Sequence, residues 1–285
     1  MKHLLTSFLL CISITVFAQK NFQGRATYKS KTSIDLANFG RGDMSEQRKK
    51  EIMERMKSML EKTYILNFDK TTSLYKEEEK LETPGQQQRG FRFRGLSGGG
   101  VEYKNISENK LIESTEFFGK NFLISETAEP PHWELTSETK QIGQYTCYKA
   151  TMTKKADEIN MMRMPRPRKK DDKSKEDAQA KNASEQVEEP KEIQVTAWFT
   201  PQIPVNNGPG EYWGLPGLIL EVNADRTTIL CTEVVLNPSE KIEINEPTKG
   251  KKVTRQEFNE IAKKKIEEMR EMFRNGRGRS GRGFH

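Results

Sequence analysis

The stretch Glu211-Tyr-Trp-Gly-Leu-Pro-Gly-Leu-Ile-Leu-Glu-Val-Asn223 decides the fold. Proline removes a backbone donor and glycine accepts positive φ, so Leu215-Pro-Gly217 reads as a tight turn inside an otherwise apolar run. It delivers Leu218-Ile-Leu-Glu-Val222 as an extended segment, and Asn223-Ala-Asp-Arg226 turns the chain into Thr227-Thr-Ile-Leu-Cys-Thr-Glu-Val-Val-Leu236. Two such runs about one turn predict a β-hairpin. The stretch holds no nucleophile beside a base, no metal-ligand spacing and no phosphate-cradling glycine pattern. It reads as architecture rather than chemistry.

Upstream, alternation of polar with apolar residues predicts strands over 22–34, 63–68 and 72–76, then a meander over 101–106, 110–118, 121–125, 133–136 and 147–153. A further strand is expected over 192–200 and an edge strand over 241–246. Two amphipathic helices interrupt this pattern. The first, 44–62, starts at a capping box of Asp43 with Glu46 and lines up Ile52, Met53, Met56, Met59 and Leu60. The second, 254–275, starts at Thr254 with Glu257, with Val253 against Phe258 as a staple, and carries Phe258, Ile261, Ala262, Ile266, Met269, Met272 and Phe273 on one face. The expected fold is mainly β: a curved antiparallel sheet of about ten strands, a half-barrel or open barrel with the two helices on or across it, like lipoprotein carriers by fold-level analogy.

Residues 1–18 have the form of a secretory signal peptide: Lys2, an apolar core from Leu4 to Phe17, and Val16-Phe-Ala18 as cleavage site. That core is too short for a permanent span, and no later run reaches the roughly 18 apolar residues one requires. Export to the periplasm or cell exterior is the expectation. Loss of Lys2 with the leader lowers the net charge from +7 to +6. The β-rich domain should occupy 19–253, interrupted by a mobile Gly- and Arg-rich loop at 83–100 and a charged insertion at 154–191. That insertion holds 11 basic and 9 acidic residues, no aromatic residue, and prolines at 165, 167 and 190. It cannot bury enough apolar surface to offset an ordering entropy of about 1–2 kcal/mol per residue, which predicts disorder. A basic Gly/Arg tail, 276–285, ends the chain.

Gly214-Leu-Pro-Gly-Leu-Ile219 is, letter for letter, the string for which the GLPGLI family of Bacteroidota proteins is named, and the chain resembles that family. Trp133-Glu-Leu-Thr, Ile142-Gly-Gln-Tyr-Thr-Cys-Tyr-Lys-Ala150 and Ala197-Trp-Phe-Thr-Pro-Gln-Ile-Pro204 carry the same resemblance. It implies a secreted or periplasmic protein without an assigned reaction, and supplies no catalytic residue. Trp213, Gly214, Leu215, Pro216, Gly217, Leu218 and Ile219 form its structural motif.

Chemistry is sparse. Beyond the leader only His132 and His285 remain, so a histidine triad or multi-histidine metal site is disfavoured, and the abundant carboxylates define no acid/base pair. No cofactor is expected. The alternative is copper: Met53, Met56 and Met59 recur every three residues and Met161, Met162 and Met164 cluster in the insertion, where soft thioethers suit Cu(I). Methionine is also ordinary filler for a helix face. Arg89, Arg92 and Arg94 with Phe91 and Phe93, and the tail, form basic patches; export argues against nucleic acid and favours an anionic surface or simple solvation. Cys147 and Cys231 invite a disulfide. In a simple meander they sit three strand spacings apart, about 14 Å against a Cα limit near ~7 Å, so pairing requires the sheet to curl or its strands to reorder. Trp133, Trp198, Tyr212 and Trp213 suggest packing at a sheet edge or a groove for an apolar ligand. The expected function is non-enzymatic: an envelope-associated binding or carrier-like protein whose partner is an apolar ligand or an envelope protein.

Overall fold

The computed structural model describes residues 22–33, 45–78, 100–155 and 192–278. The chain divides into two compact units, Met1–Met152 with Val195–Arg255, and Thr153–Gln194 with Gln256–His285. The expected insertion and terminal helix both fall in the second.

Among the described residues twelve strands form one sheet: β1 (Gln23–Thr32), β2 (Glu61–Asp69), β3 (Thr72–Glu77), β4 (Val101–Asn105), β5 (Lys110–Phe117), β6 (Lys120–Thr127), β7 (Glu134–Ile142), β8 (Tyr145–Lys155), β9 (Glu192–Thr200), β10 (Leu218–Ala224), β11 (Thr227–Leu236) and β12 (Lys251–Val253). Their spatial order is β12-β6-β5-β4-β3-β2-β1-β11-β10-β9-β8-β7. The sheet is open, mostly β and antiparallel, as the alternation predicts. One pairing departs from that pattern: β12 runs parallel to β6. The joints follow local chemistry. Asp69 Oδ1 accepts the amides of Thr71 (2.8 Å) and Thr72 (2.6 Å), and Asn105 Oδ1 accepts those of Ser107 (3.1 Å) and Glu108 (3.2 Å). Short side chains that bond their own backbone two residues on are what a tight β-turn requires.

Along β1 the alternation sends Ala26 and Tyr28 inward, both fully buried. They join Leu66 and Phe68 of β2, Leu218 and Leu220 of β10, Cys231, Cys147, and two residues of the β9–β10 loop, Ile203 and Val205, in one core. Curvature makes this possible. Lys140 on β7 reaches Glu221 on β10 at 2.7 Å and lies 4.3 Å from the Trp198 ring centroid on β9, spanning strands that a flat sheet would hold about 14 Å apart.

Several boundaries differ from expectation. Helix α1 is Glu46–Leu60 and is capped by Ser45, whose hydroxyl accepts the Arg48 amide at 3.4 Å; Asp43 lies outside the described residues. It passes into β2 with no intervening loop. The expected edge strand at 241–246 is absent from the sheet because a side chain takes the place of a neighbour: Gln23 Nε2 donates to the Ile242 carbonyl (3.2 Å) and its Oε1 accepts the Ile242 amide (3.3 Å). Helix α2, Arg255–Gly278, continues past the expected stop at Gly276, since an interior glycine costs a helix only about 1 kcal/mol. Within it Ala262 and Ile266 are buried, Lys263, Lys264 and Lys265 are exposed, and Met272 is 68% exposed although its spacing puts it on the apolar face. The 83–100 loop up to residue 99, most of the 154–191 insertion and the tail beyond residue 278 lie outside the described residues.

Arg255 clamps β5 to β6. Its Nη2 donates to Glu113 at 2.6 Å and to Glu126 at 2.8 Å, and its Nε to Glu126 at 3.0 Å. The Arg255 side chain is 37% exposed, so screening discounts the worth of these pairs. Arg255→Ala should lower unfolding free energy by about 1–2 kcal/mol, read as a shift of the urea midpoint at constant slope.

Candidate functional site

The connection from β9 to β10, residues 201–217, carries the motif. It is a partly buried loop: Ile203, Val205, Tyr212, Trp213 and Leu215 are each less than a tenth exposed. Such a loop must satisfy its own backbone. Leu218 N donates to Ile203 O (3.0 Å), Ile219 N to Asn207 O (3.0 Å) and Gly214 N to Asn206 O (3.1 Å). Gly217 N bonds Leu215 O at 2.8 Å across Pro216, a three-residue turn of the γ type. Three side chains then hold the loop and the start of β10. Tyr28 Oη donates to Ile219 O at 2.8 Å, Trp133 Nε1 to Trp213 O at 2.8 Å, and Lys104 Nζ to Gly210 O at 3.1 Å.

The glycines are dictated by neighbours. Gly217 has φ +153°, and a Cβ there would stand 2.2 Å from Thr200 O and 2.8 Å from Pro201 N, both backbone. Gly214 has φ +89° and its Cβ would meet Pro130 Cβ at 2.7 Å. Leu218 and Ile219 are fully buried, and Pro216 is exposed. The motif is thus brought together as one packed turn.

Lys104 was not singled out by sequence, because a lysine in an alternating strand reads as solvent-facing. It is 2% exposed, 3.5 Å from Glu102 Oε1 and 4.9 Å from the Trp213 ring centroid. Burial pushes its pKa down, opposed by Glu102; burial also pushes the Glu102 carboxyl up, opposed by Lys104. Asn207, 1% exposed, has no partner for its side-chain amide among the described residues, and nothing in the fold accounts for this.

Pro216 borders a surface groove of about 230 Å³. Leu135 and Thr136 on β7, Tyr148 and Lys149 on β8, Phe199 on β9, and Pro201 complete its wall. Leu135 is 62% exposed and Tyr148 41%, a large apolar surface to leave open. The Tyr148 and Phe199 rings lie 6.1 Å apart at 38°. Lys149 at the rim pairs with Glu138 at 2.7 Å. The groove's aromatics are therefore Tyr148 and Phe199. Trp133 and Trp213 are joined to each other, and Trp198 lies under Lys140.

Cys147 and Cys231 are free thiols rather than a disulfide. The strand order does hold them three positions apart and the sheet does curl, so both enter one core; each Sγ donates to a carbonyl of its own strand, Tyr145 O at 3.7 Å and Glu233 O at 3.4 Å. Burial raises their pKa values to about 11 and about 12, which keeps them protonated. Met53 is 38% exposed and Met56 half-buried on α1; the Met59 side chain, Met161, Met162 and Met164 lie outside the described residues, as do Arg89, Arg92 and Arg94. Among the described residues no group of three or more His, Cys, Asp or Glu could hold a metal ion.

Residues 133–221 match a family model described as a protein of unknown function (Porph_ging). The match covers less than half of the 285-residue chain and takes in the turn, the groove and the strands between them. No curated protein matches the chain. Two solved structures of PNGF-II, in C2 and P21 space groups, are similar to it at 12% identity and a TM-score of 0.47, covering 85% and 84% of this chain. The chain spans about a third of their length, 32% and 33%.

Two outcomes follow from this geometry. Gly217→Ala places a methyl against immovable backbone, so stability should fall by about 2–4 kcal/mol in urea unfolding, and an unchanged midpoint would refute the packed-turn reading. Glu102 has its folded pKa raised above the ordinary 4.5, so its contribution is fully present below that value and lost as pH rises through the folded pKa. The stability of the parent relative to Glu102→Gln should therefore decline as pH is raised from about 4.5 towards neutrality, a trend that paired urea titrations measure.

Proposed function

We propose that this chain is a non-enzymatic, exported binding protein whose site is the groove beside Pro216. The observation that carries the reading is the groove itself: Leu135 on the edge strand β7 and Tyr148 on its neighbour β8 stay open to solvent beside the motif turn. Exposed apolar surface of this kind marks a contact site. The leader-like residues 1–18 support export, and among the described residues no helix is long and apolar enough to cross a membrane. The ligand presents an apolar group, and the rigid turn below supplies a preformed wall for it.

Anilinonaphthalene sulfonate, which fluoresces when an apolar surface takes it up, tests the site directly. Leu135→Asp alters an exposed residue, so the melting temperature should hold while dye affinity falls about tenfold. Equal dye binding by parent and variant would remove the groove from consideration.

A further inference from the structure

We propose that the outer edge of β7 accepts an extended peptide as an added strand, one that lowers a large apolar side chain into the groove and sets a basic residue against Glu134. This rests on the groove being the binding site and says what class of partner fills it.

The first support is the backbone. β7 is the last strand of the open sheet, and among the described residues nothing pairs with its outer edge. Ile142 and Tyr145 flank the two-residue turn Gly143-Gln144, with Gly143 at φ +57°. The pair closing a two-residue hairpin exchanges both hydrogen bonds, and pairs then alternate. Ile142 and Lys140 therefore bond β8, and Gln141 and Thr139 turn their N–H and C=O groups to the free edge. A row of unpaired donors and acceptors is a template for another strand.

The second is the break in register between Leu135 and Thr139. Bulges commonly blunt an edge, but this one is confined to the start of β7 and leaves 139–142 regular. It falls where β7 contributes Leu135 and Thr136 to the groove, so edge and groove are continuous. At about 230 Å³ the groove is smaller than the roughly 300–1,000 Å³ of pockets that engulf a whole small ligand. It suits one side chain of something larger. Main-chain bonds along an edge with pockets for alternate side chains are the recognition mode of strand addition.

Charge chooses the peptide over a second copy. Glu134 is exposed and Glu138, though paired with Lys149, keeps 59% of its side chain in solvent. Lys140, the one cation on β7, is committed to Glu221 and Trp198. A second β7 would bring the same two carboxylates and no free cation, whereas a peptide with lysine or arginine beside its apolar residue complements the edge.

Fluorescence anisotropy of the whole chain with a labelled heptapeptide, Thr-Val-Lys-Phe-Lys-Val-Thr, tests this against the same peptide N-methylated at the backbone nitrogens of both lysines, which keeps the phenyl ring and the charges and loses edge donors. The parent peptide should bind about tenfold or more tightly than the methylated one. Thr139→Pro removes an outward donor at an edge position where proline is tolerated, and should weaken the parent peptide similarly while leaving dye binding and melting temperature unchanged. Should Thr139→Pro unfold, the methylation comparison decides alone. Equal binding of both peptides, or dye uptake with no peptide binding, overturns strand addition and leaves the groove standing. Failure of dye and peptides alike overturns both readings. Concentration-dependent dimerisation that excludes the peptide and is abolished by Thr139→Pro makes a second copy the occupant and overturns the peptide assignment.

Discussion

A single hydrogen bond from the Tyr28 phenol to the Ile219 carbonyl, made in a fully buried setting, joins the first strand to the motif turn. Around it the chain solves an awkward problem: a loop of 17 residues, 201–217, dips repeatedly into the core at Ile203, Val205, Tyr212, Trp213 and Leu215, where every unpaired backbone group is costly. Trp133 and Lys104 meet two of its carbonyls, Tyr28 meets that of Ile219 just beyond it, and internal bonds meet others. The register shift in β10 between Ile219 and Glu221 lies beside the Tyr28 contact, so strand geometry and loop anchoring are adjusted at one place. Pro201 and Pro216, which help wall the groove, stand at the two ends of this same loop.

Most strands could be read from alternation, since residues such as Ala26 and Tyr28 or Leu66 and Phe68 recur every second position and face one core. β7 was harder. In Glu134–Ile142 only Leu135 and Ile142 are apolar, because an edge strand exposed over much of its length has little to bury. β12 was invisible: three residues, Lys251–Val253, take strand form only because β6 lies alongside. The segment about Ile242 shows the converse, with a convincing pattern and a buried isoleucine, yet a glutamine side chain supplies its backbone partners.

The site was legible in part. Leu215-Pro-Gly217 announced a turn, and its glycine is explained by contact with Thr200 and Pro201. The groove was not, since Leu135, Tyr148 and Phe199 come from three strands and meet only through sheet order. Lys104 also escaped notice, because a buried ammonium becomes intelligible only once Gly210, Glu102 and Trp213 are placed around it.

β1 sits between β2 and β11 in the middle of the sheet, yet it is the first of the described strands to be made. The Thr232 hydroxyl that bonds Thr27 O lies 205 residues downstream. As the chain emerges, β1 through β6 can form a local meander early, but one side of β1 stays unpaired until nearly everything else has appeared. That exposed margin is the cost of a central first strand: closing it is a late, long-range step of the sort that slows folding and leaves the unfinished chain open to wrong partners. A protein that leaves the ribosome, or a membrane channel, amino end first must therefore carry its own sheet half-built, with Tyr28 still waiting for Ile219.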